Sequence, residues 1–137
     1  MNTELAQEAE NRVIVSLTIT TDRDPSEVSD LVGLQPSKTW RAGDLIGSTA
    51  RRYQQGGWQL SSPSFADVEP AVDQLLSAIA VRTDELRGIA REAQLQIGIV
   101  VYANAFVPAI LLRADQVKTI ADLGASIDVD LYCLMNS

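Results

Sequence analysis

The chain has 137 residues, 46% of them hydrophobic and 21% charged, which is the size and balance of one ordinary domain that folds without disulfide or metal staples. Eleven Lys+Arg against eighteen Asp+Glu give a formal net charge of −7, which repels nucleic-acid phosphates and anionic membrane surfaces and favours approach to a basic protein. With no histidine and a single cysteine, the commonest general base, His-dependent triads, almost every zinc site and an intrachain disulfide are excluded.

Residues 1–12 are polar and acidic, without a basic start followed by an apolar run, and read as a mobile lead; residues 13–137 read as a single domain. No segment is long and apolar enough to span a bilayer, so a cytoplasmic protein without membrane contact is expected. Val13, Val15, Leu17 and Ile19 alternate with Ile14, Ser16, Thr18 and Thr20, the period-two signature of a strand with one face on a core. In "DPSEVSDLVG", Asp24 is an N-cap, Pro25 suits the first helical position, Glu27 completes a capping box and Gly33 ends the helix. Val28, Leu31 and Val32 form its buried stripe.

The following stretch is rich in turn formers, and a loop or short strand is expected around Thr39 to Ile46, with a firmer strand from Trp58 to Ser61. After Pro63, Asp67 is placed as an N-cap, and Val68, Val72, Leu75, Leu76 and Ile79 repeat at helical spacing. The stripe weakens near Arg82 to Asp84 and resumes at Leu86, Ile89 and Ala90, giving one bent helix or two. Leu95, Ile97, Ile99 and Val101 mark another strand. The run from Val107 to Leu112 reads as an edge strand, with Pro108 confined to its start. Val117, Ile120 and Ala121 define a short helix closed by Gly124. In the last strand Ile127, Val129, Leu131 and Cys133 take one face and Asp128, Asp130 and Tyr132 the other, which predicts a buried, inert thiol at Cys133.

Half-wet strands of this kind point to an α+β domain, a mainly antiparallel sheet with helices packed on one face. Two similar strand–helix stretches, "SEVSDLVGLQPS" and "DQVKTIADLGAS", suggest two β-α-β-like halves joined by a long helix.

Two sets of residues carry chemistry. Trp40, Arg41, Asp44, Arg51, Arg52, Tyr53 and Trp58 gather the residue types that anchor interfaces into a stretch that no helix claims. The same residues have a structural reading, with both tryptophans plugging the core under a long loop. Asp128 and Asp130 project from one strand face about 6.5–7 Å apart, a spacing open to acid–base work or a hard cation. No other ligands lie nearby in sequence, so no metal or other cofactor is expected. "GDLIGST" lacks the lysine of a phosphate loop.

A strand followed by "DPSEV", then "QPSKTWRAGD", a "WQL" strand and the ending "LGASIDVDLY" together resemble the uncharacterised bacterial family labelled domain of unknown function 4279, from about Val13 to Tyr132. The sharpest parts are Pro36 to Asp44 and Ile127 to Tyr132. The resemblance implies a small, soluble bacterial protein and brings no reaction with it. It also implies that Asp128, Asp130 and Tyr132 belong to a shared pattern, whether for recognition or for folding, with Asp128 accepting backbone N–H bonds and Tyr132 packed beside Trp58.

The favoured functional reading is a non-catalytic, acidic protein-binding module, of interaction or immunity type, that covers a basic protein partner. One alternative is an anion- or metabolite-binding domain in which Arg41, Arg51 or Arg52 clamps the ligand between tryptophans. A second is a histidine-free carboxylate hydrolase using Asp128 and Asp130. A homodimer through the sheet edge near Val107 to Leu112 is a further expectation.

Overall fold

Strict alternation in the first strand fixes the architecture. The structure is a computed structural model that describes residues 10–135; of the lead expected at residues 1–12, residues 1–9 lie outside it, and Arg12 already opens the first strand. In chain order the elements are β1 (Arg12–Thr21), α1 (Pro25–Val32), β2 (Lys38–Trp40), β3 (Gly56–Ser61), α2 (Val68–Ile79), a 3-10 turn (Ala80–Arg82), α3 (Thr83–Ile89), β4 (Gln94–Ala103), α4 (Ala114–Asp122) and β5 (Ala125–Cys133). They form an α+β domain with one open sheet of order β2-β3-β1-β4-β5. Every neighbouring pair is antiparallel except β4–β5, which is parallel.

The odd residues of β1 and β4 make the core. Val13, Val15, Leu17 and Ile19 sit opposite Val101, Ile99, Ile97 and Leu95, and all eight are buried beneath the helices together with Val28, Val32, Val72, Leu75 and Ile79. The even residues face a side that carries no helix, and are polar or half-buried: Thr18 and Thr20 on β1, Gln94 and Gln96 on β4. This one-sided cover is why the strands alternate instead of reading apolar throughout.

Local chemistry explains the ends of the helices. Asp24 caps α1 by accepting from the backbone N–H of Ser26 at 2.9 Å, Pro25 opens the helix, and Gly33 closes it at φ 69°. Glu27 does not complete a capping box; its carboxylate instead accepts from Arg23 at 3.1 Å. Leu31 is exposed, so the buried stripe of α1 is Val28 and Val32. Asp67 stands at the N-cap position of α2 without a side-chain cap bond. The weak stripe near Arg82 is the 3-10 turn between α2 and α3, where the chain breaks into two helices.

Three further expectations are corrected. The run from Val107 to Leu112 forms no strand; residues 104–113 are an irregular connection between β4 and α4, consistent with Pro108 lacking a ladder donor. The two strand–helix stretches also differ in topology: the long strand after α1 runs antiparallel to β1, whereas β5 runs parallel to β4. On α4, Val117 and Ala121 are exposed, and Gln116 is buried in their place beside Ile120. Gln116 is satisfied there, accepting from the Arg113 backbone N–H at 2.9 Å and donating to Asp73 at 3.0 Å.

Candidate functional site

The residues singled out in the sequence occupy opposite ends of the sheet. At the β2–β3 end, the segment "KTWRAGD" is a turn held by its own polar groups. The Asp44 carboxylate accepts from the Arg41 N–H at 2.8 Å, and Gly43 turns at φ 92° while its N–H donates to the Tyr53 carbonyl at 2.9 Å. A return bond from Tyr53 N–H to the Asp44 carbonyl, also 2.9 Å, closes a long loop whose limbs meet again at Leu45 and Arg52. The Gly-Asp pair of the Pro36–Asp44 segment therefore fixes a loop.

Trp40 faces the helix-free side. It stacks on Tyr53 with ring centroids 4.9 Å apart and lies against Gly57, where an added Cβ would fall 1.9 Å from the indole. Trp58 projects the other way into the core, fully buried, and its indole N–H donates to the Ser29 hydroxyl at 3.0 Å. Only one tryptophan plugs the core, and the two do not flank a common cavity. The arginines are partly committed: Arg41 pairs with Asp24, and Arg52 donates to the Gly43 carbonyl at 2.7 Å. The Asp24 carboxyl is held below its ordinary range by bonds from the Ser26 backbone and hydroxyl and by Arg41. Arg51 and Arg52 line a shallow cleft with Ile46 and Tyr53.

At the other end, β5 is the outermost strand. Asp128, Asp130 and Tyr132 lie on the helix-free face, all exposed, and neither aspartate side chain takes part in an ion pair or hydrogen bond among the described residues. Asp128 therefore caps no backbone. Tyr132 does not approach Trp58, which is three strands away; it stacks on Tyr102, its partner in the β4–β5 register, with centroids 5.4 Å apart. The guanidinium of Arg12 sits 4.6 Å over the Tyr102 ring and extends this stack onto β1. Sequence reasoning missed Tyr102 and Arg12, because the parallel pairing that aligns Tyr102 with Tyr132 leaves no local signal.

The opposite face of β5 departs most from expectation. Ile127, Val129 and Leu131 are 39%, 42% and 42% exposed, and Cys133 is an exposed free thiol instead of a buried one. These residues lie on the helix side of the sheet but on its outermost strand, where the helices cover them only in part.

This end can offer a partner main-chain donors and acceptors, an apolar row and two free carboxylates. Among the described residues, the clefts lined by Asp22, Arg23, Asp24 and Arg41, by Ile46, Arg51 and Arg52, and by Leu31, Glu85 and Gly88 lie away from this end. Among the described residues no group of three or more His, Cys, Asp or Glu side chains is placed to hold a metal ion, and no helix is long and apolar enough to cross a membrane. The family model described as Domain of unknown function (DUF4279) matches residues 10–134, nearly the whole described chain. The protein belongs to this family. The match takes in both the Pro36–Asp44 loop and the Ile127–Tyr132 strand, which the fold holds at opposite ends of one sheet. No curated protein and no solved structure matches the chain.

Proposed function

We propose that this family member is a non-catalytic binding module that presents an acidic sheet face to a basic protein. The observation that carries the reading is the state of Asp128 and Asp130: both are exposed on the helix-free face, outside any ion pair among the described residues, beside the Tyr102–Tyr132 stack. Glu69, Asp73, Asp115, Asp122 and Glu92 are engaged by Arg113, Lys118 or Arg23, whereas Asp30, Asp67 and Asp84 are exposed and unpaired among the described residues but stand singly, away from the tyrosine stack. Free carboxylates beside aromatic surface on an open sheet suit a polypeptide carrying Lys or Arg better than a small substrate, which needs concavity.

Capture from the native cell at low and moderate salt tests this. Binding that falls with salt and is lost in Asp128→Asn/Asp130→Asn supports it. Equal capture by wild type and the double variant refutes it. The anion-binding alternative is left with Arg51 and Arg52, since Arg41 is neutralised by Asp24. Trp40 stacks on Tyr53 in that loop, so a change in tryptophan fluorescence with an anion panel would report it.

A further inference from the structure

The two edges of the sheet are unlike. β2 is three residues long, whereas β5 runs nine residues without proline and has no strand of the described chain on its outer side. The direction of its backbone groups follows from one bond just past its end, where the Leu134 N–H donates to the Ala103 carbonyl at 2.9 Å. Backbone direction alternates along a strand. The peptide groups of Asp128, Asp130 and Tyr132 therefore turn toward β4, and those of Ile127, Val129, Leu131 and Cys133 turn outward. Each outward residue holds a donor and an acceptor that no backbone group among the described residues meets.

The side chains beside this edge are sorted by face. On the helix side Ile127, Val129 and Leu131 are partly exposed and carry no charge. On the helix-free side Asp128 lies beside Gly98 and Ser16, and Asp130 beside Val100 and Ile14, so no cation of the sheet shares their rows. The next row runs outward from Arg12 on β1 through Tyr102 to Tyr132. Its inner end is capped by the guanidinium, 4.6 Å from the Tyr102 centroid, while Tyr132 at its outer end is 50% exposed.

We infer that β5 takes up an extended segment of the basic partner as an added antiparallel strand, in which Lys or Arg alternates with apolar residues. Antiparallel pairing is the more stable per residue. Directly opposed residues share a face, so the segment sets basic side chains against Asp128, Asp130 and the outer side of Tyr132, and apolar ones against Val129 and Leu131. Charge complementarity selects this occupant. A second copy of this chain lacks it: pairing all nine residues antiparallel about Val129 would oppose Asp128 of each copy to Asp130 of the other. A segment apolar on both faces would leave the two carboxylates without partners. The inference rests on the Asp128–Asp130 face being the binding site, and adds to it a main-chain ladder and a sequence pattern.

The intact protein is titrated with two capped peptides as long as β5. One alternates Lys and Val; the other has the same composition with its lysines grouped at one end. The alternating peptide is expected to bind ~tenfold more tightly than the grouped one and to lose ~tenfold in affinity for Asp128→Asn/Asp130→Asn. It should also protect the amides of Ile127, Val129, Leu131 and Cys133 from hydrogen exchange. In the antiparallel ladder the valine N–H groups face β5 and the lysine N–H groups face away. Methylating the valine amides should therefore abolish binding, and methylating the lysine amides should not. Val129→Pro removes one outward donor, leaves the bonds to β4 in place, and should weaken binding in a protein with an unchanged circular dichroism spectrum. Equal binding of the two peptides, β5 amides left unprotected in the complex, indifference to which amides are methylated, or no binding of either peptide would each overturn strand addition. Strand addition can fail alone: salt-sensitive capture from the native cell that is lost in the double variant keeps the acidic-face reading whatever the peptides do.

Discussion

Ile97, Ile99 and Val101 on β4 lie directly beside Ile127, Val129 and Leu131 on β5, in register and on the same face of the sheet. The first three are 0% exposed and the second three about 40%. Residue type, strand propensity and alternation are the same in both. The difference is cover: the β1 and β4 rows are fully buried, whereas the β5 row, on the outermost strand, keeps about two-fifths of its surface in water. Alternation in a strand reports which residues share a face, but burial of that face depends on a second layer that the strand does not encode. Without such a layer an apolar row stays partly in water, as the β5 row does.

The sharpest way to break this comparison is to truncate matched positions. Ile99→Ala should destabilise the domain by ~2–5 kcal/mol through cavity formation, whereas Val129→Ala should cost under ~1 kcal/mol. Urea unfolding at low protein concentration reads both, and equal losses would mean that β5 is as well covered as β4. Gly57→Ala probes the uncovered face at the far end. A Cβ there displaces the Trp40 indole from its seat, with a loss of ~1–3 kcal/mol and altered near-ultraviolet dichroism from the Trp40–Tyr53 stack. Ser29→Ala probes the covered face, since it leaves the buried Trp58 indole N–H without its acceptor and should cost ~1–3 kcal/mol.

The smallest effect is electrostatic and concerns the anchoring of α4. Arg113 lowers the carboxyl pKa of Asp73, with help from Gln116, and that of Asp115; Lys118 lowers that of Asp122. Carboxyls with depressed folded-state values contribute stability above their unfolded values of ~3.9, and that contribution is lost as pH falls through the folded ones. Acid should therefore loosen α4 below about pH 4, and Arg113→Ala should flatten that limb of the stability–pH curve. An unchanged acid limb would show that the Arg113 pairs are solvent-screened and do not hold the helix.

Much of the fold was legible in the sequence because its signals are local. The alternation of β1 and β4, the Asp24–Pro25 start and Gly33 stop of α1, and the helical stripe of α2 each depend on neighbours in the chain. What could not be read depends on pairing at a distance. Cys133 and Val129 look like core residues until the strand order puts them at an edge, and Gln116 looks like surface until Asp73 of α2 is found beside it. The candidate site divided on the same line. Tyr53, Trp40 and Asp44 do meet in one loop, because they are close in sequence and the Gly43 turn folds the loop back. Trp58 leaves that group because strand parity sends it to the opposite face, and Asp128, Asp130 and Tyr132 stand at the far edge beside Tyr102.

The central claim, that β5 is a contact surface and not merely the last strand of the sheet, is tested most directly by amide hydrogen exchange with and without the basic protein captured from the native cell. The account predicts that the β5 amides not bonded to β4 exchange fast in the isolated protein and become protected when the basic partner is bound, while amides on the free edge of β2 stay fast in both. Exchange along β5 that remains fast throughout would contradict it.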